Sequence, residues 1–280
     1  MNNKIPYEFI IGKIFHSNNF GDFIVEKYIN GDNLNSAPHK HFFQIRFLNT
    51  NTIHIASYES IRKGNVKDKF KPIVANVGFI GHCEYKITSS PIIVYYRSWN
   101  DMINRCYNIN DNDYQYYGAI GVKVDSRWFD FGYFLEDIQT LPNFDKKCIY
   151  PNMYQLDKDY LQFNIPKSQR IYSKFTCIWI SKIDNTILMN REKSNNKLPY
   201  FFVQYRDGGY FVRMHNHFYG KYTIPEAAAN VVNYLLDLED RNPNKIPFRD
   251  IKFRNIVPYM SPEECMKYLM NPKELYTLLE

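Results

Sequence analysis

The stretch YQLDKDYLQFNIPKSQRIYSKFTCIWISKIDN, residues 154–185, decides how the middle of this 280-residue chain folds. Its first apolar run closes on an acidic residue, Asp157, and a basic, turn-rich loop follows. A second apolar run, Thr176 to Ile180, leads to Ser181, placed to cap a helix that carries Asn185 in its first turn. The pattern predicts strand, loop, strand, helix over 154–190. Taken alone, an Asp-Lys pair after a strand describes a surface turn, and Asn185 describes a helix cap.

Around this stretch the charge is uneven. Between 158 and 197 stand eight basic side chains (Lys158, Lys167, Arg170, Lys174, Lys182, Arg191, Lys193, Lys197) against three acidic ones, while the whole chain carries +6. Local positive charge beside a carboxylate suits phosphate, since affinity for nucleic acid that ignores sequence comes mainly from such charges. By itself the same charge also describes a solvated loop. Hydrophobic residues make up 45% and aromatics 17%, enough for packed cores, which excludes global disorder. No apolar run reaches the ~18 residues of a membrane span, and MNNKIPYEFIIGK holds too short a run for a signal peptide. The expectation is a soluble, cytoplasmic protein with no membrane partner. Five scattered cysteines without a Cys-x-x-Cys pair predict buried thiols, not a disulfide framework or a zinc site.

The length predicts two or three modules of mixed α+β class. Residues 1–90 are β-rich: GDFIVEKYI, FFQIRFLN and TIHIASY are short runs separated by turn residues, the pattern of a small barrel-like domain or a sandwich. Residues 91–190 hold two apolar stripes at helical spacing, Trp99–Met102–Ile103–Cys106 and Trp128–Phe131–Leu135–Ile138, read as core, with Asp125 or Ser126 capping the second. A polar linker spans 191–199. Residues 200–240 predict three strands and a helix, the first two strands joined by the Asp207-Gly208-Gly209 turn. Residues 241–280 add a helical extension with a capped start at Ser261.

Several blocks occur in order: SWNDMINRCYN, YGAIGVKVDSRWFDFGYFLEDI, YQLDKDYL and IYSKFTCIWISKIDN. Together they resemble the phage-type HNH homing endonucleases, and LPYFFVQYRDGGYFVRMHNHFYGKYTIPEAAANVVNYL is similar to the AP2-like DNA-binding module that often follows that nuclease core. The resemblance covers about 92–235. It implies a ββα-metal fold holding one divalent cation, Mg²⁺ or Mn²⁺, through an Asp at the end of the first strand and a helical Asn. Those places fall on Asp157 and Asn185, oxygen donors that suit a hard cation. It also implies double-stranded DNA as partner, with hydrolysis of phosphodiester bonds.

The sequence departs from the family pattern at two places, and one is Thr176, which replaces the motif's middle Asn. Lys158 stands where the family has its general-base His, and no histidine occurs from Cys83 to Met214. Three roles stay open for Lys158: activating the water, binding phosphate while another group attacks, or standing in a site that no longer cuts. By analogy with β-sheet readers, Gln204, Arg206, Arg213 and Lys221 face DNA; Arg97, Arg105, Lys167, Arg170, Lys174 and Lys182 are further candidate phosphate contacts, and Arg105 fits a core buttress equally well. His215 and His217 read as exposed turn residues. The rival to a metal-dependent endonuclease is a catalytically inactive DNA-binding protein, a regulator or architectural factor on the same scaffold.

Overall fold

The structure, a computed structural model, describes residues 7–29, 40–193, 198–241 and 248–270, including all side chains except those of 190–193. The chain mixes α and β in several small sheets and divides into two compact units, Met1–Thr140 with Gln162–Thr176, and Leu141–Leu161 with Cys177–Glu280.

In the first unit, β1 (Ile14–Ser17), β2 (Gly21–Ile29), β3 (Phe42–Phe47) and β4 (Ile53–Ser57) form an antiparallel sheet in chain order. Strand alternation puts Phe23 and Val25 opposite Phe47 and Ile45, and all four are fully buried on one face. Burying one such large side chain contributes roughly 1.5–3 kcal/mol. The short helix α1 (Tyr58–Arg62) adds Ile61 to the same core. Among the described residues β4 does not pair with β1, so the sheet is open. This corrects the barrel-like expectation: four short strands bury one face without closing.

The helix α2 (Ile92–Tyr107) buries the predicted stripe of Trp99, Met102, Ile103 and Cys106. Trp128, Phe131, Leu135 and Ile138 are buried too, but not on one helix. Asp125 caps a 3₁₀ turn, Ser126–Phe129, by accepting from the Arg127 N–H. Asp130 then caps α3 (Phe131–Ile138) by accepting from the Gly132 N–H. Two successive caps split the periodic stretch, so the expected start at Asp125 belongs to the turn. The two-residue strands β5 (Lys123–Val124) and β7 (Ile171–Tyr172) pair in parallel.

The second unit begins with α4 (Phe144–Ile149). β6 (Tyr154–Asp157) and β8 (Ile178–Ser181) then pair antiparallel, and α5 (Lys182–Lys193) follows β8 without a gap. Strands β9 (Val203–Arg206), β10 (Gly209–Met214) and β11 (His217–Tyr222) form an antiparallel sheet. Both connecting turns place two residues at positive φ, Asp207 and Gly208 at 49° and 77°, His215 and Asn216 at 48° and 69°. That is the type I′ signature, which matches strand twist. The helix α6 (Pro225–Arg241) lays Ala228, Ala229, Val232 and Leu236 into the core shared with Val203, Val212 and Met214 of the sheet. The short α7 (Pro262–Met266) starts with the Ser261–Glu264 capping box.

Ile178, Ile180, Ile187 and Leu188 of the β6–β8–α5 hairpin and helix belong to that same core. The expected boundary near 191–199 therefore does not separate two cores; one continuous core serves both segments.

Candidate metal centre and nucleic-acid face

The hairpin pairs Tyr154 with Ser181 and Asp157 with Ile178, so Asp157 ends the first strand. Ser181 caps α5 as predicted, its hydroxyl accepting from the Asp184 N–H at 3.0 Å. Asn185 then lies in the first helical turn. Asp157 is buried, and its Oδ1 accepts from the backbone N–H groups of Asp159 (3.0 Å) and Tyr160 (2.8 Å). Oδ2 has no partner among the described residues, and neither has the Asn185 amide. Burial, with the Asp159 carboxylate nearby, pushes Asp157 up to about 6 despite those N–H bonds. A carboxylate raised this way is one that a cation would relieve.

Two oxygen donors with open valences fit a hard divalent ion that keeps most of its waters. Among the described residues no group of three or more His, Cys, Asp or Glu is gathered to hold a metal. Lys158 is also buried, and its Nζ donates to Asp159 Oδ1 at 2.6 Å. An ammonium in that bond has no lone pair with which to accept a proton from water.

Sequence reading missed the support beneath this hairpin. Asp184, fully buried, uses Oδ2 to accept from the N–H groups of Asp250 (2.8 Å) and Ile251 (3.2 Å). Its Oδ1 is buried with no hydrogen-bond partner among the described residues, and burial raises its carboxyl. Asp250 in turn accepts from the Tyr154 hydroxyl (2.5 Å) and pairs with Lys146 Nζ (2.6 Å). Lys147 is buried under the hairpin, donating to the Pro151 and Tyr154 carbonyls, with Nζ 4.9 Å from the Trp179 ring centroid. Burial lowers its amine. An Asp one residue before Asn185 was the only local signal, and nothing in the sequence linked it to residue 250.

The three-stranded sheet gathers the other candidates. Phe211 stands opposite Gln204 on β9 and Lys221 on β11, and Arg213 stands opposite Phe218. Cross-strand partners share a face, and residues two apart share it too. Gln204, Arg206, Phe211, Arg213, Phe218 and Lys221 therefore line the face opposite α6. Gln204, Arg206 and Arg213 are exposed. Phe211 packs on Phe218 at 5.5 Å, and Lys221 lies over Phe211 while its Nζ donates to the Asp207 carbonyl. Arg206 is held by Asp207 at 2.9 Å. His215 does not face outward alone: its Nε2 meets Glu239 of α6 at 3.1 Å. His217 is exposed.

The remaining candidates, apart from Lys182, lie in the first unit and behave differently from one another. Arg97 is exposed on α2. Arg105 stacks over Tyr117 and Tyr172, at 5.1 and 5.5 Å, with its Nε buried, the placement of a core buttress. Arg170 is buried and donates to the Ile165 and Phe163 carbonyls, so its guanidinium staples a loop. Lys167 and Lys174 are exposed, Lys174 at 3.9 Å from Asp137. Lys182 is exposed at the start of α5 in the second unit. Lys197 lies outside the described residues, as do the side chains of Arg191 and Lys193.

No helix among the described residues is long and apolar enough to cross a membrane. No family model, no curated protein and no solved structure matches the chain.

Proposed function

We propose that the chain is a metal-dependent DNA endonuclease of phage or mobile-element type, which holds double-stranded DNA on the β9–β11 sheet and hydrolyses a phosphodiester bond at the β6–β8–α5 centre. One observation carries the reading: an antiparallel strand pair runs directly into a helix, with Asp157 closing the first strand and Asn185 in the first helical turn. Asp157 and Asn185 would hold a Mg²⁺ or Mn²⁺ ion. When bound, such an ion supplies Lewis-acid polarisation of the scissile phosphate. The chain's own part is orientation: two backbone N–H groups fix Asp157 Oδ1 so that Oδ2 stays open, and Ser181 fixes the helix start.

The Lys158–Asp159 ion pair favours the second reading, a DNA-binding protein on the same scaffold that no longer cuts, acting as a regulator or architectural factor. A supercoiled-plasmid assay with Mg²⁺ or Mn²⁺ separates the two. The endonuclease reading expects nicked or linear product from the wild type and none from Asp157→Ala. Cleavage that survives Asp157→Ala rejects the assigned centre. Salt-dependent DNA binding without cleavage supports the second reading.

A further inference from the structure

The outward face of the β9–β11 sheet has an apolar middle that its charged rim does not explain. Phe211 and Phe218 pack together there, half-buried, with their ring planes tilted by 42°. At the turn end of the face Gly209 carries no side chain, and the Met270 sulfur lies 2.7 Å from where its Cβ would stand. Met270 reaches that place because its N–H donates to the Lys221 carbonyl, so residues 268–270 run beside β11. The fold has no use for these groups, since the core lies on the opposite face, where Val203, Val212 and Met214 meet α6. Apolar surface left in water beside charge marks a place of contact.

Charge narrows the occupant. Among the described residues the rim sets Arg206, Arg213 and Lys221 against one carboxylate, Asp207, which already holds Arg206. Cations around an apolar middle suit a polyanion that carries small apolar groups. Geometry narrows it further. Lys221 Nζ lies 5.3 Å from the Phe211 ring centroid and donates to the Asp207 carbonyl, so that face of the ring is covered. A ring that is half-buried, packed on its neighbour and covered on one face is poorly placed to wedge between base steps or to stack on unpaired bases. It is well placed to touch a methyl group. In the major groove of duplex DNA that group is the 5-methyl of thymine, which phenylalanine suits.

We propose that Phe211, Phe218 and Met270 contact pyrimidine 5-methyl groups in the major groove, so that the sheet selects duplex DNA at its thymines. This selectivity rests on the sheet being the DNA face and is independent of whether the β6–β8–α5 centre cuts. Fluorescence anisotropy of the full chain with labelled duplexes of equal length, at one salt concentration, tests it in two pairs. In one pair uracil replaces every thymine of an A·T-rich duplex, which removes only the methyl. In the other, 5-methylcytosine replaces every cytosine of a G·C-rich duplex, which adds a methyl at the same groove position. The expected result is weaker binding with uracil and tighter binding with 5-methylcytosine, each by roughly fourfold per contacted methyl. Phe211→Ala and Phe218→Ala shrink both differences and leave the salt slope unchanged, because phosphate contacts set that slope. Binding to all the duplexes with neither difference overturns the methyl contact and leaves the DNA face standing. A uracil effect without a 5-methylcytosine effect assigns groove shape instead, and tighter binding to single strands assigns stacking; either overturns it. Differences that persist in both folded variants place the contact elsewhere and overturn it as well. No salt-dependent binding to any duplex removes the DNA face itself. The wild-type pairs decide even where a variant does not fold.

Discussion

The hairpin-and-helix centre and the three-stranded sheet draw on one hydrophobic core, yet they treat charge in opposite ways. Around the hairpin, Asp157, Lys158 and Asp184 are buried, and burial raises both carboxyls. On the sheet, Arg206 and Arg213 stand in solvent, where a charge costs little to keep and little to remove. Buried charge lowers stability; exposed charge leaves it nearly unchanged. The two regions should therefore separate under mutation.

The largest expected effect tests the shared core. Leu236→Ala in α6 removes a fully buried side chain and should cost about 2–5 kcal/mol. Because Ile180 and Leu188 sit in the same core, far-UV circular dichroism and Trp179 fluorescence, read in a Trp99→Phe, Trp128→Phe background, should lose their signals at one lowered denaturant midpoint. Separate midpoints for the two signals within this unit would break the comparison at its root.

Next comes Asp157. Its folded value of about 6 lies above the ordinary 3.8, so its contribution to stability is complete below about pH 4 and is lost as pH rises through 6. Keeping it ionised in the fold then costs on the order of 2–3 kcal/mol. Asp157→Asn should therefore raise the melting temperature at pH 7.5 and change it little at pH 4. Mg²⁺ should stabilise the wild type at pH 7.5 more than at pH 5, and should not stabilise the variant. A variant less stable than wild type at pH 7.5 would show that the carboxylate is a structural anchor.

The smallest effect on stability, and the clearest on binding, belongs to the sheet. Arg213→Ala should change stability by no more than about 0.5 kcal/mol. If Arg213 meets phosphate, duplex affinity drops evenly across sequences and the salt slope falls by about one; if it meets a base edge, discrimination at one position relaxes instead. Unaltered affinity, salt slope and sequence preference would remove this face from the proposed interface.

Much of this was legible wherever the signal was local. The Asp207-Gly208 turn follows from backbone geometry that those residues tolerate, Ser181 from its place before a helix, and the α2 stripe from simple periodicity. What escaped was long-range or sterically conditional. Tyr154 and Asp250 meet across 96 residues, and no local pattern links them. Arg170 reads as a surface cation because charge counts carry no information about which carbonyls a loop folds over it. Sequence reading offered Asp125 or Ser126 as a single cap; the second cap, Asp130, follows a turn whose Trp128 carbonyl accepts from Trp99 Nε1 at 2.7 Å, a partner 29 residues away. The candidate centre was legible as a pair, Asp157 and Asn185. The bond that holds Lys158 was written only as an adjacent Asp.

The placement of the three tryptophans has an optical consequence. Trp99 and Trp128 are buried in the first unit, while Trp179 is buried in β8 of the second with an amine over its ring. A chain in which the first two are phenylalanine carries a single tryptophan, at the candidate centre, that can be excited selectively at the red edge. Its emission reports on the hairpin's surroundings with no label attached.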